Sequence, residues 1–175
     1  MRIFLRTALI FTAITCTAAN AQQSPSARML EEKEIVERDI SVMLAPIRSK
    51  ATLQEYLATH QKNSPFAALS PGAKRRFVQS LRFSEKGLSG YEYGDLQHEL
   101  TVTQIYKLLS LFGVETSASA IPGLKAKSKS DELILLRGKL NQTTLRMATD
   151  YPGYICGGKA SCVKDERAIC IGANC

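Results

Sequence analysis

Apolar residues recur at steps of three and four along the first two thirds of the chain, the period of an amphipathic helix. Val36, Ile40, Met43, Leu44 and Ile47 form the first such row, and Glu31, Glu34 and Arg38 lie opposite it. Ser24 followed by Pro25 has the form of an N-cap with proline at the first helical position. Together these predict a helix over about 26–44, ended by Pro46, whose ring blocks a backbone hydrogen bond. Leu53, Tyr56, Leu57 and His60 repeat the row and predict a short second helix over about 50–60.

Two prolines and a glycine in KNSPFAALSPG break the pattern, and Ser70 with Pro71 restarts it. The next helix has Phe77, Val78 and Leu81 on one side and Lys74, Arg75, Arg76 and Arg82 on the other. SEKGLSGYEYGDLQHEL, with three glycines, reads as a loop ending in a helical turn near 95–100. Thr101 and Gln104 then form a capping box, Ile105, Leu108, Leu109 and Phe112 recur at helical spacing, and Gly113 stops the run.

Residues 116–130 are small, polar and basic, the composition of a linker or mobile loop. Asp131 opens a last helix with Leu133, Leu136 and Leu140 on one side, although the apolar run 133–136 also suits a short strand. The expected fold class is therefore mainly α: four to five amphipathic helices, with a core of Val36, Ile40, Leu44, Leu53, Leu57, Phe77, Leu81, Ile105, Leu108 and Phe112. The expected organisation is a helical domain over 22–115, the linker 116–130, and a C-terminal helix or strand with a cysteine-rich tail over 131–175.

The ends of the chain change this picture from architecture to compartment. Arg2 and Arg6, an uncharged stretch over 8–19, and Ala19-Asn20-Ala21 have the layout of a secretory signal peptide cleaved after residue 21. The apolar stretch is shorter than the roughly 20 residues of a spanning helix, so no transmembrane segment is expected after cleavage. A lipoprotein signal with Cys16 as the modified residue fits poorly, since Ala13 and Thr15 stand where an aliphatic and a small residue belong.

The mature chain keeps four of the five cysteines, Cys156, Cys162, Cys170 and Cys175. An even number in an oxidising compartment predicts two disulfides, with three pairings open. Their spacing, C-x5-C-x7-C-x4-C, lacks the close pairs of zinc and thioredoxin-like motifs, so neither a metal nor a redox role is expected. The tail reads as a stapled cap on the helical domain, because crosslinks substitute for a core in so short a segment.

Charge adds little. The formal net charge of +7 falls to +5 once the two signal-peptide arginines are removed. Basic residues are dispersed rather than set in a face with aromatics between them, which excludes a nucleic-acid-binding signature. A loose attraction to anionic envelope surfaces is compatible with it. Candidate chemistry is sparse. Glu85, Glu92, Asp95 and Glu99 could supply the paired carboxylates of a glycosidase. Lys74, Arg75, Arg76, Tyr91 and Tyr93 are candidate binding residues. His60 and His98 belong to no metal or triad motif, and no cofactor-binding pattern occurs. The function expected on these grounds is an exported, periplasmic or secreted, binding protein of accessory, adaptor or inhibitor type, partnered by another exported or envelope protein. The alternative is an envelope-acting hydrolase using the carboxylates of 85–99.

Overall fold

A computed structural model describes residues 25–59, 63–144 and 150–175. The signal-peptide reading, Cys16 and His60 fall outside them. Six helices are present among the described residues: α1 Pro25–Leu44, α2 Lys50–Thr59, α3 Pro71–Ser80, α4 Gly94–Glu99, α5 Val102–Ser110 and α6 Lys129–Thr144. Short 3-10 turns occupy Pro65–Ala68 and Glu115–Ala120.

The mainly α expectation is corrected by four strands, β1 Arg82–Ser84, β2 Gly87–Glu92, β3 Asp150–Gly158 and β4 Ser161–Ile171. They form one antiparallel sheet in the order β1-β2-β4-β3, so the chain is a mixed α/β fold. The glycines that suggest a loop serve the sheet instead. Gly87 takes φ +114 at the β1–β2 turn, a conformation open to glycine and strained for other residues. At Gly90 a Cβ would stand 3.1 Å from the Ile169 carbonyl and 3.3 Å from Ile155, so the bare backbone lets neighbouring chain pass over β2.

The tail is likewise more than a cap. Residues 168–171 of β4 are buried between β2 and β3, and Ile169 and Ile171 belong to the common core. Two disulfides join Cys156 to Cys175 and Cys162 to Cys170. Cys162 and Cys170 are eight residues apart within β4, yet their Cα atoms are only 6.0 Å apart. A straight strand would separate them by about 26 Å, so the strand doubles back. The register shows where: β3 steps across Gly153 while β4 advances from Lys164 to Ile169. The hairpin is folded over on itself, and both disulfides hold the fold-over closed.

The helical signals that rest on caps match the structure. Ser70 caps α3, and Thr101 with Gln104 makes a reciprocal capping box on α5. Leu53, Phe77, Leu81, Ile105, Leu108 and Phe112 lie in the core, around edge-to-face contacts of Phe112 with Phe66 and Phe77 at 6.2 and 6.5 Å. Val36, Ile40 and Leu44 do not: all three are exposed on α1. Residues 133–136 are helical, and Leu133, Leu136 and Leu140 are exposed too. Within 116–130, Ser117, Ala118 and Ile121 are buried against the core.

Buried Asp131 ties two helix starts together. Its Oδ1 accepts from the Thr103 backbone N–H at 2.7 Å and the Thr103 hydroxyl at 2.6 Å, and its Oδ2 accepts from the Lys127 N–H at 2.9 Å. Burial alone would push this carboxyl up, but the hydrogen bonds from Thr103, Lys127 and Ser128 outweigh it and bring it down to about 2. A folded-state value below the unfolded one stabilises the fold above the unfolded value, and that stability is lost as pH falls through the folded value. Asp131→Asn should therefore cost about 2–3 kcal/mol at pH 7 in urea denaturation. The deficit against wild type should shrink between pH 4 and about 2, where wild type loses the charge as well; a deficit constant across that range would contradict the assignment.

Reduction of the oxidised protein should release the outer half of the hairpin, 154–164, from hydrogen-exchange protection. Residues 168–171 should keep theirs, because β2 and the core hold them independently of sulfur. Equal loss of protection in both halves would show that the disulfides carry the whole sheet.

Candidate interaction face

The residues singled out along 85–99 hold secondary structure together. The Arg76 guanidinium donates to Asp95 through Nε at 3.0 Å and Nη2 at 2.6 Å, joining α3 to α4. That bond to Asp95 also raises the Arg76 pKa above its usual value. Glu99 accepts from the Ser70 backbone N–H and hydroxyl, both at 2.7 Å, at the start of α3. Glu85 and Glu92 are exposed, Glu85 in the β1–β2 turn and Glu92 at the end of β2. Nothing in this arrangement favours an acid–base pair for hydrolysis. His98 is exposed in the last turn of α4.

The basic and aromatic candidates disperse. Lys74 sits over the Phe66 ring at 5.7 Å, and Arg75 is exposed on the same helix. Tyr93 donates its hydroxyl to the Glu166 carbonyl at 2.9 Å, which anchors the turn of the doubled strand. Tyr91 lies wholly in the core with its hydroxyl 2.8 Å from that of Ser117, so it offers no surface to a partner. Burial pushes its pKa far above the ordinary tyrosine range.

The feature that stands out is on α1, and it inverts the sequence expectation. The charged face of this helix looks inward. Arg38 Nη2 donates to Asp150 Oδ1 at 2.6 Å, with the two side chains only 12% and 10% exposed. The Ser41 hydroxyl donates to Glu115 at 2.9 Å, and Arg137 of α6 reaches Glu37 at 2.8 Å and Glu34 at 3.4 Å. Gly113, at φ +69, permits this docking, since a Cβ there would collide with the Ser41 carbonyl. On the other side, Val36 is 55% exposed, Ile40 45% and Met43 64%, with Met29, Ile35 and Leu44 beside them. These exposed apolar side chains form a row along one side of the helix.

A cleft of about 300 Å³ is lined by Glu34, Glu37, Arg38, Ile40 and Ser41 of α1, Tyr106 of α5, Gly113, Glu115 and Thr116, and Arg137 of α6. Burial, reinforced by Glu115, raises the Tyr106 pKa, with Arg137 acting the other way. Burial raises the Asp150 carboxyl above its usual range, and the Arg38 charge offsets only part of that rise. The carboxylates of Glu34 and Glu37 already hold Arg137, and Oε2 of Glu115 is buried with no hydrogen-bond partner among the described residues. The lining thus has three carboxylates against two guanidinium groups, one of which, Arg38, is committed to Asp150. Among the described residues the one cluster with metal-ligand geometry is Cys162, Cys170 and Cys175, whose sulfurs are committed to disulfides.

No family model matches this chain, and neither does any curated protein or solved structure. Among the described residues no helix is long and apolar enough to cross a membrane.

Sequence reasoning missed the inward partners of α1 because they come from distant positions: Asp150 lies 112 residues from Arg38. The pair can be tested directly. Arg38→Met leaves a carboxylate buried without its cation and should cost about 3–5 kcal/mol at pH 7 in urea unfolding. Because the folded Asp150 carboxyl titrates above the unfolded one, protonation favours the fold, and acidification should relieve part of the variant's deficit. Arg38→Met with Asp150→Leu should recover most of the loss. A single variant within half a kilocalorie of wild type would show that the pair does not hold α1.

Proposed function

We propose that this protein is an exported interaction protein, acting in the periplasm or outside the cell, that engages another protein through the outward face of α1. The observation that carries the reading is the inverted helix: Met29, Val36 and Met43 stand exposed while Arg38, Ser41 and Glu37 bind the body. Exposing such a row to water is unfavourable by about 25 cal/mol per Å² of apolar surface, and docking a partner relieves that cost. The signal-like N-terminal sequence and two disulfides support the oxidising compartment. The exposed apolar side chains of α1 suit binding, in the manner of an accessory, adaptor or inhibitor.

The test is affinity capture from the native envelope or secretion fraction, using the mature chain with both disulfides intact. Met43→Glu and Val36→Asp should abolish capture while leaving circular dichroism and thermal midpoint unchanged, since both side chains are more than half exposed. Val163→Asp, on the exposed outer hairpin, should leave capture intact. Undiminished capture by the α1 variants would refute the assignment of this face.

A further inference from the structure

Both disulfides tie the outer half of the β3–β4 hairpin to its inner half, and their sulfurs gather at one spot. Cys156 is bonded to Cys175, and the sulfurs of Cys162, Cys170 and Cys175 lie within 4.8 Å of one another. Cys156 and Cys162 belong to the outer half and stand directly opposite each other in the strand register. Opposed residues of antiparallel strands put their side chains on one face, with Cα atoms about 4.5–5.5 Å apart. That lies inside the range of about 4.4–6.8 Å that a disulfide spans. The other two cysteines belong to the inner half: Cys170 pairs with Tyr151, and the Cys175 N–H donates to the Ile171 carbonyl at 2.8 Å. The same four residues therefore have a second pairing within reach, Cys156 with Cys162 and Cys170 with Cys175, in which no bridge crosses the fold-over.

The surroundings suit an exchange between the two pairings. Cys175 does not depend on sulfur for its place: its N–H is held by Ile171, and its main-chain oxygen accepts from the Ala160 N–H at 2.8 Å. Opening Cys156–Cys175 would leave its thiolate beside the Cys162–Cys170 bridge. Cys156 is half-buried, but Gly157 and Gly158 beside it are exposed and carry no side chain, which gives an outside thiolate an approach. A hinge is present as well. Gly153 takes φ +82, with open space where a Cβ would stand, at the point where β3 steps out of register. Tyr93 grips the inner side of the bend, donating its N–H to the Arg167 carbonyl at 3.0 Å and its hydroxyl to the Glu166 carbonyl at 2.9 Å.

We propose that the sulfur cluster is a thiol–disulfide exchange site, at which an external thiolate converts the closed hairpin into an isomer bridged Cys156–Cys162 and Cys170–Cys175. The thiolate attacks the Cys156 sulfur, forms a mixed disulfide and expels Cys175 as a thiolate. Cys175 attacks the Cys170 sulfur and expels Cys162 as a thiolate. Cys162 attacks the Cys156 sulfur of the mixed disulfide and releases the external thiolate. Three S–S bonds form and three break, no electrons are gained or lost overall, and the thiolate is regenerated. In the isomer the outer half, 154–164, is closed on itself and no longer held covalently across the fold-over. Turning at Gly153 then uncovers β2 at Gly90, where Ile155 rests. This chemistry does not depend on the outward face of α1.

The oxidised mature protein is incubated with reduced glutathione in one arm and with a substoichiometric, reduced C-x-x-C oxidoreductase in the other. Both are blocked with N-ethylmaleimide and digested with trypsin without further reduction. Trypsin cuts after Arg146, Lys159, Lys164 and Arg167. The closed pairing leaves 147–159, 160–164 and 168–175 linked as one species. The isomer instead joins 147–159 to 160–164 and frees 168–175 with an internal bridge. Those two products are the expected result, and the arm in which they form tells whether a small thiol suffices or a protein dithiol is needed. If the oxidised protein of both arms yields only the three-peptide species, the proposal falls. Cys156→Ser isolates the second step. Its unpaired thiol should move from Cys175 to Cys162 at mildly alkaline pH; a thiol that stays on Cys175, or appears on Cys170, overturns the assigned pairing. The isolated isomer should exchange the amide hydrogens of 154–164 about tenfold faster than the closed form, with 168–171 unchanged. Equal protection in the two forms would show that the new pairing does not release the fold-over.

Discussion

Arg38 reaches Asp150 across almost the whole length of the described chain, and the cost of hiding a guanidinium sets the orientation of the first helix. A buried cation is tolerated only with a carboxylate in hydrogen-bonding contact. Once Asp150 supplies it, α1 has no freedom to turn its apolar side inward. The remaining inward contacts conform to the same orientation: a serine hydroxyl on Glu115, glutamates on Arg137, and a glycine where the backbones touch. The sheet is involved as well, because Asp150 opens β3 and is aligned by its pairing with Ile171 of β4. A polar contact between the first helix and third strand thus determines which side of α1 is exposed.

Periodicity shows which side chains share a face of α1 but holds no information about which face is inside. That decision belongs to long-range partners, and no local pattern encodes Asp150 as the mate of Arg38. Elements with self-contained signals are legible: Ser70 at α3, and Thr101 with Gln104 at α5, are satisfied by their own neighbours, and the Phe77 and Ile105 rows have no competing charge. The sheet is illegible for a different reason. Gly87 and Gly90 look like loop residues because glycine weakens strands in isolation; here one makes the turn and the other makes room for Ile155. In the tail, the cysteines point to a staple, and their prominence masks the short apolar run that makes residues 168–171 a buried strand. Of the candidate site, the individual residues of α1 are visible, whereas its inversion and the Arg137 bridge from α6 arise only from tertiary contact.

The disulfides act on geometry as well as on the unfolded chain. A hairpin as long as β3–β4 would project into solvent as a two-stranded ribbon, marginal on its own. Doubling it back lets the outer half lie over β2 at Gly90, and Cys156–Cys175 and Cys162–Cys170 fasten both layers where hydrogen bonds are interrupted by the register shift. The core beneath needs no sulfur: Ile169 and Ile171 pack with Leu88, Tyr91 and the α5 leucines.

The sheet order has a consequence for biosynthesis. β2 emerges from the ribosome some seventy residues before β4, the strand that lies against it, so its edge at 90–92 waits unpaired while those residues are being made. An open edge flanked by a buried tyrosine and leucine is a template for wrong pairing with another nascent copy. Closure has to await β4, and a ribosome that stalls before it would release a product with its sheet split in two. Truncation before β4 is thus a lesion of assembly, felt at the centre of the molecule.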